Sequence, residues 1–164
     1  TGVDVNQLFK SGVRPLHIAV ERGYAQATNI LLQHGALVHE TDDKGRIPLH
    51  LAVKGGDYET VKVLLSESHS VDVINHIDLA GHTPLHLAVA PEGGFQPKPE
   101  IIELLLSQGA DLTLKDHRDQ DSYDRASKSG RKNIAKWFLA LKRGEKVSYA
   151  DFMQVRAPIL NKVG

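Results

Sequence analysis

Apolar residues in this chain fall into two kinds of cluster that alternate along the sequence. One is a short phrase opened by proline, Pro15-Leu16-His17-Ile18-Ala19, which returns as Pro48-Leu49-His50-Leu51-Ala52 and Pro84-Leu85-His86-Leu87-Ala88 at intervals of 33 and 36 residues. The other is a run of bulky aliphatics behind each phrase: Ile30-Leu31-Leu32, Val63-Leu64-Leu65 and Leu104-Leu105-Leu106. Self-similarity at this period marks a stack of like units, each too small to bury its own apolar face, rather than one enzyme-like core.

Each phrase predicts a helix. Proline suits the first turn, where its missing N–H would have no partner and its fixed φ is already helical. Thr83 precedes the third proline and offers a hydroxyl cap, whereas Arg14 and Ile47 stand there in the first two copies and cannot cap, at a cost of about 1 kcal/mol each. Gly23 and Gly56, four residues past the phrase alanines, end these helices by permitting positive φ. A second helix then runs back antiparallel through the aliphatic cluster, and a hairpin leads to the next unit.

A fourth copy is degenerate but in phase. Asp121-Ser122-Tyr123-Asp124-Arg125-Ala126 stands where Thr83-Pro84-Leu85-His86-Leu87-Ala88 stands one unit earlier, and Ile134 to Leu139 supply its second helix. Loss of the apolar phrase suits a terminal unit with one wet face, closed by Trp137 and Phe138 as buried anchors. At the front, Gly2-Val3-Asp4-Val5-Asn6 and Ser11-Gly12 match the hairpin between two units. Together with the absence of an initial Met, this predicts a piece of a longer protein with at least one unit upstream.

Two segments break the period. Pro91 to Pro99 contains three prolines and two glycines, which forbid a helix and predict a protruding loop with Phe95 exposed at its tip. Ser66 to Val73 lengthens the hairpin after the second unit. Beyond Gly144, which closes the last repeat helix, Ser148 begins a short amphipathic helix with apolar residues at 149, 152 and 153, and Pro158 should end it. This tail either folds back over Trp137 and Phe138 or starts a linker.

The period, the P-L-H-x-A phrase and the endings Gly35-Ala36 and Gly109-Ala110 together resemble the ankyrin repeat. The resemblance implies an all-α solenoid of antiparallel helix pairs joined by β-hairpin-like loops, with about four repeats. Residues 1–144 form the repeat domain, with a partial hairpin over 1–12 and repeats near 12–42, 43–78, 79–116 and 117–144; residues 145–164 form a C-terminal helical extension or the start of a linker. It also implies a protein-binding module that grips partners with hairpin tips and the exposed side of each first helix. Carried onto this sequence, the partner-binding candidates are Lys10, Val13 and Arg22, then Asp43, Lys44, Arg46 and Lys54, then Leu79 and His82, and finally His117, Arg118 and Lys128.

Charge sharpens this expectation. Lys plus Arg equals Asp plus Glu at 20 each, so the chain as a whole has no bias toward nucleic acid. The tip and concave positions hold seven cations (Lys10, Arg22, Lys44, Arg46, Lys54, Arg118, Lys128) against Glu21 and Asp43. A wall of one sign attracts and orients an oppositely charged partner, so the expected partner is a protein with an acidic surface. The alternatives are an anionic small ligand, nucleotide or phosphorylated segment, and the targeting or regulatory region of a larger enzyme.

Composition narrows the rest. At 41 per cent hydrophobic and 24 per cent charged, with no cysteine, the chain can bury a continuous core but offers no disulfide or thiolate chemistry. No apolar run nears the roughly 18 residues that cross a bilayer. No G-x-S-x-G, H-E-x-x-H or G-x-x-x-x-G-K-[ST] is present. His17, His50 and His86 recur one unit apart and are expected to join neighbouring turns by hydrogen bonds. His69 and His76 with Asp72 lack the further ligands that zinc requires. The expectation is therefore a non-catalytic module without cofactor or metal, monomeric in isolation, not bound to membrane and located in cytoplasm or nucleus.

Overall fold

The structure, a computed structural model, describes residues 2–160 except 69, 92 and 94, with side chains described through Val155; His69 thus lies outside the described residues. Four antiparallel helix pairs follow one another: α1 (Pro15–Glu21) with α2 (Ala25–Gln33), α3 (Pro48–Gly55) with α4 (Tyr58–Glu67), α6 (Pro84–Val89) with α7 (Pro99–Ser107), and α8 (Ser122–Lys128) with α9 (Lys132–Lys142). A 3-10 turn at Lys10–Gly12, a single turn, α5 (Val71–Ile74), and a last helix, α10 (Tyr149–Leu160), complete the described elements, among which there is no strand. First helices pack on first helices, α1 on α3, α3 on α6 and α6 on α8, while α2 packs on α4 and α4 on α7. Leu16, Leu49 and Leu85 are buried at equivalent places in this two-layer core.

The prolines stand at the first helical position of α1, α3 and α6, and Gly23 and Gly56 turn the chain at φ of 71° and 72°. Thr83 Oγ1 accepts the His86 N–H at 3.3 Å; Arg14 and Ile47 make no such cap. In all three units the phrase histidine also reaches back: Nδ1 accepts the N–H of Arg14, Ile47 or Thr83 at 3.1, 3.3 and 3.1 Å. The opposite nitrogen, Nε2, must then carry the proton, and it donates to the Glu40, His82 or Gln120 carbonyl at 3.0, 2.8 and 3.0 Å. Each imidazole thus ties a helix start to the hairpin leading into the next unit. It does so only when neutral, and burial pushes all three below the ordinary histidine range, His50 to about 4.

Departures from the sequence expectation are local. Pro99 does not lie in a helix-free loop: it occupies the first turn of α7, where a proline is favoured for the same reason as Pro15. Phe95 is exposed as expected, but its loop is pinned on both sides. Lys98 Nζ donates to the Gly56 carbonyl, and Arg131 donates to Gln96 Oε1 at 2.7 Å and to the Phe95 carbonyl at 3.0 Å. After the second unit, Val71–Ile74 form α5, capped by Ser70 and burying Val73 and Ile74. Pro158 does not end the last helix, which runs on to Leu160.

The two ends are tied in by side chains. Asn6 bonds the Gly35 carbonyl and the Leu37 N–H at 3.0 and 2.9 Å, as Asn75 bonds Gly109 and Asp111 at 3.2 and 2.9 Å, so the opening residues sit in the register of a unit's closing segment. At the other end Trp137 and Phe138 are buried. The Trp137 indole N–H donates to the Val147 carbonyl at 2.9 Å, Tyr149 stands edge-on to the indole at 5.3 Å, and Phe152 is buried beside them.

Candidate functional site

The hairpin tips are built by carboxylates the sequence reading did not single out. Oδ1 of Asp42, Asp78 and Asp116 accepts the N–H groups two and four residues ahead at 2.9 to 3.1 Å. Burial opposes ionisation of Asp42 and Asp116, but hydrogen bonds outweigh it: from the Arg46 side chain and backbone to Asp42, and from the Gln120 and Arg118 N–H groups to Asp116. Both carboxyls titrate below the usual range. Their spacing of 36 and 38 residues was a legible signal. In the first tip Phe9 fills this place, its N–H bonded to the Val13 carbonyl at 2.7 Å.

Tips stack through their backbones: Asp43 N–H to Ser11, Leu79 N–H to Lys44 and His117 N–H to Ala80, at 2.9 to 3.1 Å. This close approach explains Gly81, whose φ is 78° and where a Cβ would lie 2.7 Å from the His117 ring and 2.8 Å from the His117 backbone nitrogen. In the last tip the same left-handed position, φ 59°, is held by Asp119, which pairs with Lys115 at 2.9 Å.

Exposed along the tips and the concave helix ends are Lys10, Arg22, Asp43, Lys44, His117, Arg118 and Lys128. Leu79 is 70% exposed and Val13 half-buried. The structure separates three candidates from this group. Arg46 is spent on Asp42, with Nε and Nη2 at 2.8 and 2.7 Å from Oδ2. Lys54 pairs with Glu21 at 3.3 Å, joining α3 to α1. His82 is wedged among Asp78, Asp116 and Arg125 at 3.7, 3.4 and 2.9 Å. In contrast, the side chains of Lys10, Arg22, Lys44, Arg118 and Lys128 make no hydrogen bond or ion pair among the described residues.

Two arginines outside the sequence-based set join the concave face. Arg125 takes the place of Leu87 in the degenerate unit, and Arg131 stands before α9 where Asp57 stands before α4. With Arg118 and Lys128 they line a hollow of about 300 Å³ between the third and fourth units, together with Ala90, Pro91, Gln120 and Ser129.

Comparison with known proteins agrees with this architecture. The family described as "Ankyrin repeats (3 copies)" matches residues 1–75, and "Ankyrin repeat" matches residues 80–117. The transient receptor potential cation channel subfamily A member 1 of Drosophila melanogaster is 41% identical over 108 residues, 66% of this chain and 8% of that protein; the human protein of the same name is 34% identical over 119 residues, 73% of this chain and 10% of its own length. A putative ankyrin repeat protein of Rickettsia felis is 28% identical over 124 residues, 69% of this chain and 39% of that protein. The chain thus spans a tenth or less of these channel relatives. Among the described residues no helix is long and apolar enough to cross a membrane. Phased helix pairs, stacked hairpin tips and matches over residues 1–75 and 80–117 lead to one conclusion: the chain belongs to the ankyrin-repeat family.

Proposed function

We propose that this chain is a non-catalytic binding module that grips an acidic surface of a partner protein with its hairpin tips and concave helix ends. The observation that carries this reading is the division of labour among charges. Asp42, Asp116 and Asp121 are buried and consumed in holding tips and helix starts, while Lys10, Arg22, Lys44, Arg118 and Lys128 are exposed with no carboxylate partner among the described residues. Overall neutrality therefore conceals a positive wall. Such a wall steers and orients an acidic partner, with a rate that falls as salt rises, and Leu79 supplies an apolar contact among the charges.

The test uses a fluorescein-labelled glutamate decamer and fluorescence anisotropy at two salt concentrations. Binding by the native chain should weaken with salt and be lost in the triple variant Lys10→Glu, Lys44→Glu, Arg118→Glu. Arg46 is left intact because its loss would release the tip. Equal binding by the native chain and this variant at low salt would refute the reading.

A further inference from the structure

We propose that the hollow between the third and fourth units is a phosphate-monoester site, which receives a phosphorylated side chain of an extended partner polypeptide. The proposal rests on the acidic-partner reading for the polypeptide and goes beyond it in naming the group recognised. Arg118, Arg125, Lys128 and Arg131 surround about 300 Å³, and no carboxylate is among the described lining residues. Asp116, behind the wall, lies 3.5 Å from one nitrogen of Arg125 and offsets one cation of the four. Like charges so gathered repel, and a ligand with nearly two negative charges relieves that repulsion where a single carboxylate does so only in part.

The donors are held in place. Arg125 is fixed by Nε on the His86 carbonyl at 3.3 Å and by Nη1 on His82 at 2.9 Å. Arg131 is fixed by its two terminal nitrogens on the Phe95 carbonyl and the Gln96 side chain, while its Nε is buried with no hydrogen-bond partner among the described residues. Pre-set guanidinium forks match phosphate oxygens and lose little freedom on binding. Arg118 and Lys128 are the exposed cations that complete the ring.

A track leads away from the hollow. Pro91 lines both it and a smaller cleft bordered by Arg46 and Asp78, and those two residues also line a hollow of about 350 Å³ beside Lys44 and Leu79. An extended chain following these clefts would place one phosphorylated side chain at the arginines and an apolar one against Leu79.

Nuclear magnetic resonance of the arginine Nε–H groups during titration with inorganic phosphate, at pH 7.5 and constant ionic strength, tests the site. Resonances of Arg118, Arg125 and Arg131 should shift saturably and those of Arg22 and Arg143 should not. Uniform, non-saturating shifts would overturn the proposal. A fluorescein-labelled Gly-Gly-Ser-Gly-Gly peptide phosphorylated on serine should bind more tightly than inorganic phosphate, and its unphosphorylated form should not bind. Arg118→Gln and Lys128→Gln should each weaken it about tenfold, with unchanged circular dichroism showing that the fold persists. Phosphopeptide binding no tighter than phosphate overturns the polypeptide source. Failure of both ligands while the glutamate decamer still binds overturns this inference and leaves the acidic-partner reading standing; failure of all three removes both.

Discussion

Acidification should loosen this stack in a pH window that belongs to its histidines. His50 is fully buried, takes the Ile47 N–H on Nδ1 and gives its Nε2 proton to the His82 carbonyl. Protonation would set a new N–H against the Ile47 N–H and place a charge in the core. Burial accordingly lowers its pKa from 6.5 to about 4. Between those values the unfolded chain binds more protons than the folded one, so stability falls as pH falls from 6.5 and His50 has no more to lose below about 4. At about 1.4 kcal/mol per pH unit the loss from His50 alone is about 3 kcal/mol, a large share of a typical domain's stability. His17 and His86, lowered for the same reason, add to it. Urea unfolding followed by circular dichroism, from pH 7.5 to 4, measures this directly. His50→Gln, which keeps a donor toward the His82 carbonyl but does not titrate, should be less stable at pH 7.5 by about 1–3 kcal/mol and flatter across the window. An identical pH slope in the native chain and this variant would refute the argument.

Three further outcomes follow from the geometry. Below pH 3.8 a second loss should appear, because Asp42, Asp116 and Asp121 have lowered folded pKa values: their contribution is present above the unfolded value and disappears as pH falls through the folded ones, and Asp42→Asn should shrink that acid limb in a urea series continued down to about pH 2. Gly81→Ala should cost about 2–4 kcal/mol from a strained φ and a clash with His117, whereas Asp119→Gly, at the open tip, should stay within about 1 kcal/mol of the native chain. Trp137→Phe should cost about 1–2 kcal/mol in thermal or urea unfolding by orphaning the Val147 carbonyl and leaving a gap beside Tyr149 and Phe152.

Much of the fold was legible because its signals are local. Pro15, Pro48 and Pro84 mark helix starts through a property of the proline ring itself, and Gly23 and Gly56 mark ends through their freedom at positive φ. Pro99 was misread because the same residue that breaks a helix interior opens a helix start, and only its neighbours decide which. The binding candidates were legible as positions but not as charges: Lys44 and Arg46 look alike in sequence, yet only one is bound to a carboxylate. Asp42, Asp78 and Asp116 recur in phase and could have been found by the reasoning that found the phrases. Arg125 and Arg131 could not, since their convergence depends on how the fourth unit meets the third.

The amino-acid order alone determined the number and phase of the units, the handful of caps and turns that bound each helix, and a formal excess of cations on the tip and concave positions. These follow from periodicity and from conformational preferences that act within a few residues. Tertiary structure decided which charges remain free. Arg125 meets His82 across 43 residues and Lys98 meets Gly56 across 42. Pairings at such separations depend on the rotation and rise from one unit to the next, which small differences in packing set and no local pattern encodes.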